Sequence, residues 1–176
     1  MGNIKKIARC IRNNNPLNIR RGTARWKGMK REEEDADLSS ARACSRSAES
    51  KQASRCSHLD ADFEQFETMA YGWRAAFILI GRTYYEKYHL NTLQKIISRW
   101  APSFENQTDA YIMYVAINVG INECDPLPPP KVAPGIWKKI VWAMFEVEAG
   151  RKAANDPANK QLFFQSMQEG FDMFSQ

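Results

Sequence analysis

The chain has 176 residues, 44% of them hydrophobic and 26% charged, with a formal net charge of +5 and a pI of about 9.1. That length supports one domain with a real core, and the composition is that of an ordinary globular protein. No apolar run approaches the roughly 18 residues of a membrane span, and the basic start MGNIKKIARC has no apolar stretch of the kind a secretory signal needs. The positive balance favours an anionic partner: nucleic acid, a membrane surface or an anionic polymer such as a cell wall.

Residues 4–12 predict a short helix through Ile4, Ile7, Ala8 and Ile11. The stretch NNNPLNIRRGTARWKG (13–28) reads as a loop, because Pro16 biases Asn15 to an extended conformation. A short strand and turn is expected around Gly22. Residues 30–62 contain no Val, Ile, Met, Phe, Trp or Tyr. They cannot bury much apolar area, so they predict a solvated, disordered or loosely helical insertion. Within it, Cys44, Cys56 and His58 are too few for a convincing zinc site in a chain with two His. A Cys44–Cys56 disulfide is expected only in an oxidising compartment.

Beyond the insertion, Phe63 and Phe66 open an extended piece, and Trp73, Phe77, Ile80, Tyr84 and Tyr88 predict a helix over about 69–88. NTLQKIISRW predicts the next helix, with Asn91 as cap and Gln94 at its third position. TDAYIMYVAINVG predicts another, capped by Asn106 or Thr108 and stopped by Gly120. DPLPPPKVAPG is a stiff connection. A helix then runs from Pro134 to Gly150, and a last one carries Phe163, Met167, Phe171 and Phe174. The sum is mainly α: a single globular helical domain with a small extended or hairpin element and one polar insertion.

Two places carry chemistry. Trp137, Val141, Met144 and Glu148 share one helical face, so Glu148 sits at the C-terminal end of an apolar stripe. Desolvation and the negative end of the helix dipole both raise the pKa of a carboxyl there, as a general acid requires. The plainer reading is that Glu148 pairs with an Arg or caps a backbone group. Glu146 points elsewhere, beside Trp142 and Lys139. The second place is RWAPSFENQTDAY, which sets Arg99, Trp100, Glu105, Asn106, Asp109 and Tyr111 around a helix–loop–helix corner. Aromatic faces beside amides and carboxylates suit sugar rings; the plainer reading is that Trp100 is core and Asn106 or Thr108 is a cap. Phosphate loops, Ser/His/Asp arrangements and Cys/His nucleophile signatures are absent, and neither metal nor cofactor is expected.

NNPLNIR…WKG, then FEQFETMAYGWRA, then TLQKIISRWAPSFENQTDAYI, in that order, resemble a bacterial and prophage family of phage structural or virion proteins, frequent in gut Bacteroidales genomes. The same segments are similar, in rearranged order, to glucosaminidases and lytic transglycosylases of lysozyme-like fold. In those enzymes a helix ending in a catalytic Glu precedes an N-x-F-G-I-K loop, an F-x-x-F-x-[ST] segment and a Y-A-T-D-x-x-Y corner. Here FEVEAG (145–150) supplies the Glu from the C-terminal side, as in a circular permutation. Val147 and Ala149 replace the His and Asn of the corresponding H-E-N-G pattern.

The resemblance implies a lysozyme-like domain that cleaves peptidoglycan glycan strands. Glu148 would be the acid, and Glu105 or Glu67 the second carboxylate. Asn18 and Tyr111 would orient substrate, Trp26 and Trp100 would stack sugars, and Asn15, Arg20 and Asn106 would line the groove. It also implies synthesis in the cytoplasm and action in the periplasm or cell wall after release or delivery, or association with a virion. An interbacterial toxin with an immunity partner, or a partner among phage structural proteins, is compatible with it. The alternative is a non-enzymatic phage-derived structural, saccharide-binding or protein-binding module. Nucleic-acid binding is disfavoured, because IRRGTARWKGMKR is followed at once by the acidic run Glu32–Asp35.

Overall fold

In the computed structural model, residues 7–31, 59–103 and 107–176 are described. The centre of the sequence-predicted insertion (32–58, with Cys44, Cys56 and His58), Glu105, Asn106 and the first six residues lie outside them. The fold is mainly α. Helix α1 is Arg9–Arg12, shorter than the periodicity predicts. Helix α2 (Met69–Phe77) runs on as a π-helix over Ile78–Lys87. Then come α3 (Leu93–Trp100), α4 (Thr108–Val119), α5 (Pro134–Ala149), α6 (Arg151–Ala154) and α7 (Pro157–Ser175).

Local chemistry accounts for most of the ends. The Thr68 hydroxyl accepts from the Tyr71 N–H at the start of α2, and Asp156 accepts from the Ala158 N–H at the start of α7. Pro134 and Pro157 occupy first-turn positions, where the missing N–H costs nothing. Gly120 stops α4 in the left-handed conformation at φ 77°. The cap of α3 is Thr92, one residue later than Asn91. Asn91 is drawn off: its carbonyl accepts from Leu127 N–H at 2.8 Å, and its side chain accepts from Lys95. Gln107 precedes α4 without a side-chain cap, and the Thr108 hydroxyl instead donates to the Ala101 carbonyl at 2.6 Å, closing the α3–α4 corner.

The π-helix changes which residues face inward. Trp73, Phe77 and Ile80 are buried as the stripe predicts, but Tyr88 is 46% exposed. Bonds from i to i+5 widen the turn, so a stripe drawn at 3.6-residue spacing drifts off the core.

The main core packs α2 along α7, with α5 between many of the same side chains. Trp73 meets Phe145 edge-on at 5.1 Å, and Phe77 meets Phe171 at 5.0 Å. Gly170 makes the α2–α7 approach close enough that a Cβ there would stand 2.5 Å from the Trp73 Cβ. Trp137 donates its indole N–H to the Pro128 carbonyl at 2.8 Å, and Tyr85 donates to the Leu127 carbonyl at 2.9 Å. Those two bonds hold the proline-rich connection against the core.

A second, smaller cluster (Ile19, Phe66, Ala75) carries Trp26, Met29 and Tyr71 on its flanks, and Trp100 packs against both clusters. Around it the loop pairs across the chain and forms no hairpin at Gly22. Arg20 bridges antiparallel to Phe63, and Met29 to Phe66. Each bridge is isolated, so this extended element is two short crossings and no sheet. The ends of the sequence-predicted insertion take part: Arg21 N–H donates to Asp62 O at 2.9 Å, and Lys30 N–H to Gln65 O at 2.7 Å.

Candidate functional site

The three asparagines before Pro16 stitch the loop to residues 60–67. Asn13 donates to Asp60 at 3.0 Å. Asn14, at φ 51°, donates to the carbonyls of Phe66 and Glu67. Asn15 donates to the carbonyls of Ile19 and Glu64 and accepts from Ile19 N–H, all at 2.9 Å. Asp60 is further held by Arg9 and Arg12, and its pKa is lowered, first by the Asn13 hydrogen bond. Asn and Asp suit such places because their short polar side chains bond nearby backbone and tolerate positive φ. Asn15 is fully buried and its amide is spent on backbone, so it shapes the loop and lines no groove.

This stitching delivers Asn18, itself at φ 50°, to the C-terminal end of α5. Asn18 Nδ2 donates to Glu148 Oε2 at 2.8 Å. Trp100 Nε1 and the Tyr111 hydroxyl both donate to Glu148 Oε1, each at 3.3 Å. Loop, α3, α4 and α5 thus converge on one carboxyl, and its three partners are neutral donors. Neither an Arg partner nor a backbone cap is the arrangement found. The Glu148 pKa is raised above its ordinary value, because burial outweighs the three hydrogen bonds that favour the charged form. Cys10, fully buried, has its thiol pushed up to about 12, first by burial and then by the Glu148 charge. Tyr111 is raised well above its ordinary value by the same two causes.

Glu148 and Tyr111 stand at an open groove of about 450 Å³ between α4 and α5, lined also by Gln107, Ala110, Tyr114 and Val147. On the neighbouring turn, Tyr114 donates to Glu146 at 3.0 Å, and Asn155 also donates to it. Two tyrosines of α4 therefore each hold one carboxylate of α5. Among the described residues no group of three metal-ligating side chains gathers.

The chain is 35% identical over 150 residues to Protein P5 of Pseudoalteromonas phage PM2, an alignment covering 84% of this chain and 74% of that protein. The chain belongs to the P5 family. No protein-family model matches it. The phage kinship suggested by its motifs thus stands on a relative that spans most of the chain.

In this P5-family chain, Glu148, Asn18, Trp100 and Tyr111 come together as one cluster. Trp100 serves it as a hydrogen-bond donor, its partly buried ring packed against both apolar clusters. Trp26 is partly buried against the second cluster. Arg20 is exposed, 5.5 Å above the Phe63 ring. Glu67 is exposed, its backbone N–H bonded to the Gly28 carbonyl. Glu105 and Asn106 lie outside the described residues.

Sequence reading missed Gln107, Tyr114 and the buried Glu64. Tyr114 lies one turn beyond Tyr111, which is the signal that could have found it. Glu64 is 1% exposed and its Oε2 has no partner among the described residues. Burial raises its pKa against the opposing pull of Gly22 N–H, Arg21 and Arg25.

Proposed function

We propose that this phage-related protein cleaves peptidoglycan glycan strands, with Glu148 as the general acid. The observation that carries the reading is one carboxyl, held by three neutral donors, at the edge of an open groove. Oε1 already accepts two hydrogen bonds and Oε2 only one. A proton therefore belongs on Oε2, where it passes to the glycosidic oxygen as the bond from that oxygen to the anomeric carbon breaks. The positive charge left on the sugar is met by a second carboxylate, Glu67 or Glu105, or by the substrate's own acetamido group. Water, or an internal sugar hydroxyl that closes an anhydro ring, then bonds to the anomeric carbon and gives its proton back to the Glu148 carboxylate.

A second reading, a saccharide- or protein-binding phage module without activity, is favoured by Val147 and Ala149 beside Glu148, where the resembled pattern has His and Asn. The test is clearance of purified Gram-negative peptidoglycan by the wild-type chain and by Glu148→Gln, with mass spectrometry of the products. The enzyme reading expects lysis by the wild type and a loss of at least about a hundredfold in the variant. Sacculi bound but never cleaved by the wild type would sink it in favour of the binding module.

A further inference from the structure

The loop that presents Asn18 continues into a cationic ledge. Arg20, Arg21, Arg25, Lys27, Lys30 and Arg31 place six cations within twelve residues, with no carboxylate among them. All six are exposed, whereas Trp26 and Met29 between them are partly buried and packed on the second apolar cluster. The ledge is held in place by the bridges Arg20 to Phe63 and Met29 to Phe66. Among the described residues the ion pairs are those of Asp60 with Arg9 and Arg12, which leaves Arg21, Arg25, Lys27, Lys30 and Arg31 outside them. Near the ledge, among the described residues, Glu64 is buried and feels the charges of Arg21 and Arg25, and Asp62 and Glu67 are exposed, three carboxyls against six cations; Glu32–Asp35 follow Arg31 in the chain, outside the described residues.

The groove at Glu148 has the opposite character. Its lining is Gln107, Ala110, Tyr111, Tyr114, Val147 and Glu148, with no cation. A phosphodiester backbone lying there would meet a carboxylate and no positive charge. A neutral backbone would meet amide, phenol and apolar surface, which suits sugars. Arg20 and Arg21 follow Asn18 by two and three residues, within about 11 Å along the chain. Because Asn18 touches Glu148, the start of the ledge lies within reach of a side branch on a polymer held at Glu148. The inward packing of Trp26 leaves little aromatic face for stacked bases, so charge is what the ledge reads.

We infer that the ledge binds the free carboxylates of peptidoglycan stem peptides while the uncharged glycan backbone occupies the groove beside Glu148. This rests on the peptidoglycan reading of the site and names the form of the substrate: strands whose peptides keep their carboxyl groups.

The experiment measures retention of the full chain on purified sacculi, with released muropeptides counted in the same tubes. Binding is followed from about 0.01 to about 1 M salt, over which the Debye length falls from about 30 to about 3 Å. Three arms are compared: wild type on native sacculi, wild type on sacculi whose carboxyls have been amidated chemically, and the Arg21→Gln, Arg25→Gln, Lys30→Gln triple variant on native sacculi. The expected result is salt-sensitive retention that drops about tenfold in each of the last two arms. The amidation arm uses the unaltered protein and so does not depend on how the variant folds.

Retention indifferent to both amidation and the triple substitution would overturn the inference. Sacculus binding unchanged by the triple substitution, with duplex DNA retained by the wild type and lost by the variant in a parallel salt series, would overturn it in favour of nucleic acid. Charge-dependent retention without muropeptide release would support the ledge and remove the cleavage proposed for Glu148.

Discussion

Glu148 is held in an uncommon state for a carboxyl, with three neutral donors and no cation among its described partners. Its raised pKa has a consequence for stability. In the folded chain it binds its proton more tightly than in the unfolded one, so the folded state is favoured most below the ordinary carboxylic range. That contribution is lost as pH rises through the folded-state value. Glu148→Gln removes the titration. The variant is expected to unfold at an equal or higher urea concentration than the wild type at neutral pH, with a flatter dependence of the midpoint on pH. Asn18 supports this, because its Oδ1 is buried and has no partner among the described residues. Turned about, the Asn18 amide accepts from the new Gln amide while Trp100 and Tyr111 keep an oxygen acceptor. Urea melts from about pH 4 to about pH 8 check it; a variant that melts early at neutral pH would show that the charge of Glu148 supports the fold. Helical spacing alone put Glu148 on the edge of an apolar face. It did not reveal Asn18, which is 130 residues away in the chain.

At the scale of elements, glycines decide how closely segments approach. A Cβ on Gly72 would stand 2.0 Å from the Asn14 carbonyl oxygen and 2.7 Å from Pro16 Cδ. Gly72→Ala must therefore push α2 and the Asn-rich loop apart, and the loop carries Asn18. The expected cost is about 1–3 kcal/mol, with Asn18 displaced from Glu148. Gly135, in the first turn of α5, has nothing within 4 Å of its Cβ position. There Gly→Ala is expected to be neutral or to stabilise by up to about 1 kcal/mol. Denaturant melts of the two variants side by side measure the difference; similar values would show that the loop yields without cost. Elements were the most legible level in the sequence. Pro134, Gly120 and Gly150 marked helix ends through chemistry that is local to the chain. The start of α3 slipped by one residue because Asn91 is engaged by Leu127 and Lys95, and Leu127 lies beyond the reach of a local rule.

For the whole molecule, Trp73 is, with Trp137, the largest fully buried side chain among the described residues. It packs on Phe145 and Trp142 and donates its indole N–H to Ser166, joining α2, α5 and α7. Trp73→Ala is expected to cost about 3–5 kcal/mol. Because Trp100 packs against both apolar clusters, the two should also melt together. Far-UV circular dichroism and tryptophan fluorescence are expected to give one coincident transition for the wild type. Separate midpoints would show that the paired loop around Phe66 unfolds as its own unit.

The sequence by itself determined the helical class, the main buried stripes and the position of Glu148 on its helix. Those follow from the period of a single helix and from residues a few places apart. Only the tertiary structure decided that Asn13, Asn14 and Asn15 stitch a loop to residues 60–67, that Tyr88 turns outward, and that Asn18, Trp100 and Tyr111 meet on Glu148. The Asn contacts and the Glu148 cluster join residues separated by 37 to 130 positions, and the outward turn of Tyr88 follows a change of helical hydrogen bonding. Such pairings are selected by the packing of the whole core, which no local pattern encodes.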